Sequence, residues 1–328
     1  MRTPLTLRPR RAALVLAAGA LLATGATGCE PAEPGVFTVV TSAVGADAVP
    51  GDGLCVTATD ECSLQAAVEE SNALGTRTEI TVPANVPVPA ADLEVTGAIT
   101  LLSGGRQMQS LGLVSWTVAQ GAELSVTDAS LGPVVVEGTF LARRVVLGGG
   151  LADPIAGVDA LVQVGPTGQA LLSNAYGVSV GAPLVINAGV LSIHGTTVDP
   201  AADPGPATIT TETGGQTRLS ATAFLGGAGA VDVCAGEAPT SYGYNLASDT
   251  TCDLFMTGDH QDFDETATLP SGVDDARLDA VPLGTLHCGA GWSDDLTSGS
   301  EIPARPADGN ADSVKACDAG AREVGLGA

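Results

Sequence analysis

The sequence predicts an all-β fold in which short strands wind into stacked parallel coils. The chain has 328 residues with 43 Gly and only 3% aromatic residues, which is typical of many short strands and tight turns. A strand–Gly–strand unit recurs between residues 78 and 228, with glycines at positions 121, 138, 168, 189 and 215. Hairpin dipeptides such as Asn-Gly are nearly absent from this region, which disfavours the alternative fold, an antiparallel β-sandwich.

The recurring unit has the length expected for one coil. Its glycines lie 17 to 30 residues apart, which indicates that each unit is one coil and that the loops between its strands differ in length. One coil cannot bury its own apolar face, whereas several stacked coils bury a continuous core. The segments Thr78–Pro83 and Leu93–Leu102 alternate apolar and polar residues, as half-buried strands do. Residues 78–228 are therefore assigned to the coils.

A short amphipathic helix is predicted just before the coils. Ser63 suits the N-cap and Gly75 suits the C-terminal stop, and between them apolar or small residues recur on one face at helical spacing. These residues are Leu64, Ala67, Val68, Ser71 and Leu74. Such a stripe needs an apolar partner, and the exposed end of the coil stack supplies one. Residues 55–77 are interpreted as a capping loop and helix, and Val36–Thr41 as a strand that pairs with the first coil.

The N-terminus predicts export. Four Arg residues precede the apolar segment Ala12–Leu22, which is too short to span a bilayer comfortably. The following Ala26–Cys29 resembles a lipobox, which implies that residues 1–28 are a lipoprotein signal peptide and that Cys29 carries the lipid. Residues 29–54 then form a lipidated tether. The alternative is an ordinary secretory signal with an unpaired Cys beside its cleavage site.

The cysteine count supports the same interpretation. Assigning Cys29 to the lipid leaves six cysteines, an even number, which indicates disulfides in an exported chain. Six cysteines allow many pairings, and proximity in the sequence favours Cys55–Cys62, Cys234–Cys252 and Cys288–Cys317. A zinc site is disfavoured because the sequence contains no CxxC motif.

The negative net charge excludes nucleic acid as a partner, and one cluster of acids is a weak calcium candidate. The chain has a net charge of −24, and removal of the leader, with its four Arg and no acid, makes it about −28. Such a chain repels nucleic acid.

The densest carboxylate cluster comprises Asp259, Asp262, Asp264 and Glu265. Alternating oxygens of this kind bind Ca²⁺ in some loops, so the cluster is a weak calcium candidate; the alternative is a solvated acidic loop. No other cofactor is predicted.

Three short motifs resemble segments of one family. The run from Cys62 resembles the CSLREAI segment that opens many secreted bacterial β-helix proteins, Tyr242–Cys252 resembles their GYNLSSDxxC run, and Val314–Glu323 resembles their closing CDIGAFE. The chain departs from the pattern at Gln65 and Ala66, which stand where Arg-Glu is usual. The resemblance to these CSLREA or choice-of-anchor Q-like proteins implies a single right-handed parallel β-helix, a pectate-lyase-like solenoid. It also implies a short N-terminal capping helix and a disulfide-bearing C-terminal cap within residues 229–328.

No catalytic residues are predicted. Several polysaccharide lyases and hydrolases use such coils, but they need clustered carboxylates, and the acids in the repeats are sparse. Arg143 and Arg144 are adjacent, so their side chains should point to opposite faces, and His194 is isolated in a strand. We therefore predict a non-enzymatic binding, adhesion or structural module, lipid-anchored to the cell envelope, for a glycan or envelope protein. The alternatives are a carbohydrate-active enzyme and a passive surface spacer.

Overall fold

The computed structural model describes residues 35–89, 91–103, 109–111, 114–148, 159–179, 182–200, 207–224 and 232–262. Within them the chain forms one helix, α1 (Leu64–Leu74), and 23 strands in three sheets. No helix in this part of the chain is long and apolar enough to cross a membrane.

Sheet 1 contains nine of these strands. In spatial order they are β1 (Gly35–Thr38), β2 (Arg77–Val82), β4 (Ala98–Ser103), β7 (Glu123–Thr127), β10 (Thr139–Arg143), β13 (Gln169–Ser173), β16 (Val190–His194), β19 (Gln216–Ser220) and β22 (Thr240–Ser241).

Sheets 2 and 3 contain seven strands each over the same described ranges. Sheet 2 consists of β3 (Ala91–Val95), β6 (Val114–Val118), β9 (Val134–Val136), β12 (Val162–Val164), β15 (Val185–Asn187), β18 (Ala207–Thr211) and β21 (Asp232–Gly236). Sheet 3 consists of β5 (Gln109–Leu111), β8 (Ala129–Leu131), β11 (Val146–Leu147), β14 (Tyr176–Ser179), β17 (Thr197–Pro200), β20 (Ala223–Phe224) and β23 (Leu246–Ala247).

The order of the strands defines a parallel β-solenoid. From β4 onwards the chain visits sheet 1, sheet 3 and sheet 2 in fixed rotation, so each coil adds one strand to each sheet. Every pairing between these named strands is parallel. The prediction of an all-β stack of parallel coils is confirmed, and the antiparallel sandwich is wrong.

The core lies between the three sheets because their register aligns equivalent inward side chains. On sheet 1, Leu101 pairs with Ile80 on one side and with Val126 on the other, and all three are fully buried. On sheet 3, Leu131 pairs with both Leu111 and Leu147, and these are also fully buried. Burying one such side chain contributes about 1.5–3 kcal/mol, so the repeated columns supply the main stabilisation of the stack.

The repeated glycines lie at the corner where the chain passes from sheet 2 to sheet 1. Gly138, Gly168, Gly189 and Gly215 each directly precede a sheet 1 strand. A Cβ atom at Gly215 would lie only 2.5 Å from the carbonyl oxygen of Asn187, and a Cβ at any of the other three would also overlap a backbone carbonyl oxygen. The corner therefore brings successive coils too close for a side chain, which explains the glycine repeat.

The corner between sheet 1 and sheet 3 is formed by a residue in the left-handed backbone conformation. One residue per coil adopts a left-handed conformation there: Asp128, Arg144, Asn174, Gly195 and Ala221, with φ between 48° and 60°. The backbone N–H of Asn174 donates to the carbonyl of His194 at 2.9 Å, and that of Gly195 donates to the carbonyl of Ser220 at 3.0 Å. Hydrogen bonds to the next coil thus offset the steric cost of about 1–2 kcal/mol per non-glycine residue.

Helix α1 begins and ends where the sequence predicts. Ser63 has extended dihedral angles and its side chain accepts a hydrogen bond from the N–H of Ala66, while Gly75 adopts a left-handed conformation with φ 64°. Leu64, Ala67 and Val68 are buried, and α1 contacts β1, β2, β3 and β4. From β4 to β22, each sheet 1 strand directly follows a sheet 2 strand in the chain. Before β2, the helix α1 takes the position of that sheet 2 strand.

The strands extend beyond the segment assigned to the coils. β1 pairs in parallel with β2, which confirms that the stretch from Val36 joins the stack. At the other end, β21, β22 and β23 add a strand to each sheet within the region that begins at residue 229. The described part of that region, residues 232–262, therefore continues the stack of coils.

Candidate functional site

The opening segment is held together by a disulfide and by the helix N-cap. The sulfur atoms of Cys55 and Cys62 are bonded, with their Cα atoms 5.1 Å apart. The Ser63 hydroxyl accepts a hydrogen bond from the N–H of Ala66 at 3.0 Å and donates one to the carbonyl oxygen of Gly45 at 2.5 Å. One side chain thus caps the helix and fixes the chain that precedes it.

A buried carboxylate fixes the loop before the disulfide. The Glu70 side chain is 0% exposed, and its two carboxylate oxygens accept hydrogen bonds from the backbone N–H groups of Gly51 and Gly53. The neighbouring Glu69 is half-buried and accepts a hydrogen bond from the N–H of Asp47 at 2.8 Å. The two acids therefore hold the loop on the helix instead of facing a ligand.

Asn72 connects the end of the helix to the first coil. Its amide nitrogen donates to the carbonyl of Glu94 at 2.7 Å, and its amide oxygen accepts from the N–H groups of Thr96 at 2.9 Å and Gly97 at 3.2 Å. These bonds satisfy backbone groups at the end of β3, the outermost strand of sheet 2. The motif from Cys62 to Asn72 is thus accounted for by structural contacts.

The second motif, Tyr242–Cys252, has a similar structural basis. Asn245 is fully buried, and its side-chain oxygen accepts a hydrogen bond from the N–H of Thr222 in the preceding coil at 3.1 Å. Cys252 is bonded to Cys234 of β21, with their Cα atoms 4.9 Å apart. The two disulfides of the described residues match two of the three expected pairings. Cys288 and Cys317 lie outside those residues, so the third pairing stays a prediction.

Of the two described acids of the cluster, Asp262 is exposed and Asp259 has a clear structural role. Asp259 accepts hydrogen bonds from the Ser241 hydroxyl at 2.6 Å, from the N–H of Met256 at 2.8 Å, and from the N–H and amide nitrogen of Asn245 at 2.9 and 3.0 Å. Within the described ranges, no three His, Cys, Asp or Glu side chains group closely enough to hold a metal ion. Asp264 and Glu265 lie outside these ranges, as does Cys29, so the calcium and lipid assignments stay predictions.

We expect Asp259→Asn to lower the free energy of unfolding by about 2 kcal/mol in EDTA, because an amide cannot accept hydrogen bonds at both terminal atoms. Asp253→Asn is the matched control, since Asp253 is exposed and the charge change is the same. Denaturant unfolding of the oxidised chain measures both variants. Equal stability of the two variants would contradict the structural role of Asp259. Stabilisation of the wild-type chain by added calcium would support the calcium hypothesis.

The outer face of sheet 1 presents in-register rows of side chains. One row, the terminal row, runs along the strand ends and contains Thr127, Arg143, Ser173, His194 and Ser220. The next row, the middle row, contains Ser125, Leu141, Leu171, Ser192 and Arg218. Neighbouring strands lie about 4.8 Å apart, so each row is a regular array along the stack.

Two arginines of this sheet and its corner form ion pairs. Arg144 contacts Asp128 of the preceding coil through two hydrogen bonds of 2.7 and 2.6 Å, and the hydrogen bond to Asp128 raises the pKa of Arg144. Arg77 lies 2.8 Å from Glu123, and this hydrogen bond raises the pKa of Arg77. Arg143 is exposed at the end of β10, whereas Arg144 lies after the strand, in the left-handed corner, and is engaged by Asp128.

His194 and Ser220 form a pair on this face within hydrogen-bonding distance. The Nδ1 atom of His194 and the Oγ atom of Ser220 lie 2.8 Å apart. The sequence identified His194 but not Ser220, because the two residues lie 26 positions apart and only the coil register brings them together. A paired histidine and serine can serve either ligand binding or nucleophilic chemistry.

The described residues also include a small cleft at the other end of the molecule. It has a cavity volume of about 10 Å³ and is lined by Thr41, Val44, Leu64, Val88 and Leu93, among other residues. This volume holds about one water molecule, far less than the ~300–1,000 Å³ of a small-molecule site. The outer face of sheet 1 is therefore the better candidate for a functional surface.

No family model, no curated protein and no solved structure matches this chain. The resemblance to CSLREA-type proteins therefore rests on the three short motifs alone. The geometry of the described residues is the remaining basis for a functional proposal.

Proposed function

We propose that this chain is a lipid-anchored protein of the bacterial cell envelope that binds a glycan or an envelope protein along its coil face, without catalysing a reaction. The observation that carries the proposal is the regular outer face of sheet 1, with in-register rows of mostly polar side chains across at least five coils. Such a face suits a long, repetitive partner, because each coil offers a similar contact at a constant interval.

The proposal also includes a right-handed coil, a helical cap at the N-terminal end and a disulfide-bearing cap at the C-terminal end. Parallel strands joined by crossovers are almost always connected in a right-handed sense, which supports a right-handed β-helix. The buried stripe of α1, with Leu64 and Val68 at 5% and 1% exposure, supports a role for the helix as the N-terminal cap. The disulfide between Cys234 and Cys252 supports a disulfide-bearing cap at the C-terminal end.

The lipid anchor is tested by Cys29→Ser in the full-length chain expressed in a bacterial host. We expect the wild-type chain in the membrane fraction and in the detergent phase after phase separation, and the variant in neither, because a serine hydroxyl is not diacylated in place of the thiol. Ala32→Ser introduces the same side chain three residues away and should leave the wild-type distribution unchanged. A Cys29→Ser chain that stays with the membrane would contradict the anchor.

The alternative function, a carbohydrate-active enzyme, is favoured by one observation, the 2.8 Å contact between His194 and Ser220. Incubating the full-length chain in detergent with neutral and acidic polysaccharides, and following both retention and chain length, separates the two functions. Retention without cleavage supports the binding module. Cleavage that is lost in Ser220→Ala supports the enzyme and contradicts our proposal.

A further inference from the structure

The basic residues that the structure describes in this acidic chain lie on one surface. The chain has 37 Asp and Glu residues against 13 Lys and Arg. The four Lys or Arg residues within the described ranges are Arg77, Arg143, Arg144 and Arg218. Each lies in a strand of sheet 1 or at the corner that follows it, and none lies in sheet 2 or sheet 3. The face therefore differs in charge from the rest of the described molecule.

Two of these four cations are available to an outside ligand. Arg77 and Arg144 are engaged by Glu123 and Asp128. Arg143 is exposed and has no ion-pair partner among the described residues. Arg218 is also exposed, and its guanidinium donates only a 3.3 Å hydrogen bond to the neutral side chain of Gln216 in the part of the chain that the structure describes.

Arg143 and Arg218 frame a continuous surface. They lie on β10 and β19, which are separated by β13 and β16, so three strand spacings place them about 14 Å apart along the stack. Between them lie Leu171, which is 37% exposed, and Ser173. Leu171 pairs in register with Leu141, so the two form a small apolar strip in the middle row.

We propose that this surface, the Arg143–Arg218 face, binds a linear polysaccharide that carries a carboxylate on every second or third sugar. The inference rests on the proposed binding function and names its ligand. A guanidinium binds a carboxylate through two parallel hydrogen bonds. The leucine strip packs against the apolar face of a sugar ring, and the hydroxyls of Ser173 and Ser192 bind sugar hydroxyls.

The spacing and the fold favour this ligand over other anions. Nucleic acid has one charge per about 1.7 Å of helix axis, whereas the two arginines are about 14 Å apart along the stack and match a sparsely charged polymer. An extended peptide would add to a free sheet edge, but β13 and β16 are paired on both sides. Charges farther than about 8 Å are screened at physiological salt, so the negative net charge of the chain does not prevent local binding.

The test uses the full-length chain in detergent and immobilised hyaluronan, which carries a carboxylate on alternate sugars. We expect retention of the wild-type chain, and loss of retention on hyaluronan whose carboxylates have been reduced to alcohols. Arg143→Gln and Arg218→Gln should each weaken binding about five-fold, as expected for one exposed charged contact. Arg77→Gln makes the same charge change on the same sheet at an arginine already paired with Glu123, and should change binding less than two-fold.

The outcomes separate this inference from the broader proposal. Equal binding to hyaluronan and its reduced form, or equal weakening by Arg77→Gln and Arg143→Gln, would overturn the inference and leave a glycan-binding protein. Retention on a phosphate polymer but not on hyaluronan would also overturn it. If neither hyaluronan nor any neutral polysaccharide retains the folded chain, both the inference and the glycan part of the proposed function are wrong.

Discussion

Replacing Gly189 with alanine is expected to destabilise the protein by about 3 kcal/mol, at the upper end of the effects of overpacking. The new Cβ would overlap the carbonyl oxygens of both Gly165 and Gly168 in the preceding coil. Both clashing atoms belong to the backbone, so rotation of a side chain cannot relieve the contact. Relief requires the two coils to separate, which would weaken the hydrogen bonds between β13 and β16.

Gly214→Ala is the matched control for this prediction. A Cβ at Gly214 meets no atom within 4 Å, but the residue has φ +90°, so alanine there should cost only about 1–2 kcal/mol of backbone strain. Denaturant unfolding of the full-length chain, with its disulfides intact, measures both variants. A Gly189→Ala variant as stable as the control would show that the coil spacing is looser than the structure indicates.

The glycine repeat shows how far the sequence predicts this fold. The repeat located the coils, and Ser63 and Gly75 located the helix, because each signal arises from a local steric or hydrogen-bonding requirement. The division into three sheets was not predictable in the same way. Strands such as β11 and β20 have only two residues, which is too short for alternation of apolar and polar residues to identify them.

The candidate surface was less predictable than the fold. Arg143 and Arg218 lie 75 positions apart in the sequence, and they share a face only because coils of unequal length return to the same register. Asp259 shows a different difficulty: clustered acids made it a weak calcium candidate or part of a solvated loop, and neither interpretation anticipated the four hydrogen bonds that its carboxylate accepts within the chain. Composition identifies charged residues but does not show whether they contact other residues of the chain or an external ligand.

Glu70→Gln should destabilise the protein by about 2 kcal/mol, in the range of hydrogen bonds to charged groups. Both oxygens of this buried carboxylate accept hydrogen bonds from backbone N–H groups, those of Gly51 and Gly53. The glutamine side chain has one acceptor and one NH₂ group, so one backbone N–H would face another donor. The buried amide would hold its NH₂ group against one of these N–H donors, and the loop should separate from the helix so that water can accept that bond instead.

Glu69→Gln removes the same charge from the adjacent residue and is the control. Glu69 is half-buried, so water can satisfy the hydrogen bonds that the amide loses, and the expected loss is below 1 kcal/mol. Hydrogen exchange at Gly51 and Gly53 locates the effect: exchange at both amides should accelerate in Glu70→Gln and stay slow in Glu69→Gln. Unchanged exchange in Glu70→Gln would mean that the loop is held by other contacts. The outcome decides whether an acid in this motif acts as the internal acceptor that joins the loop to the helix.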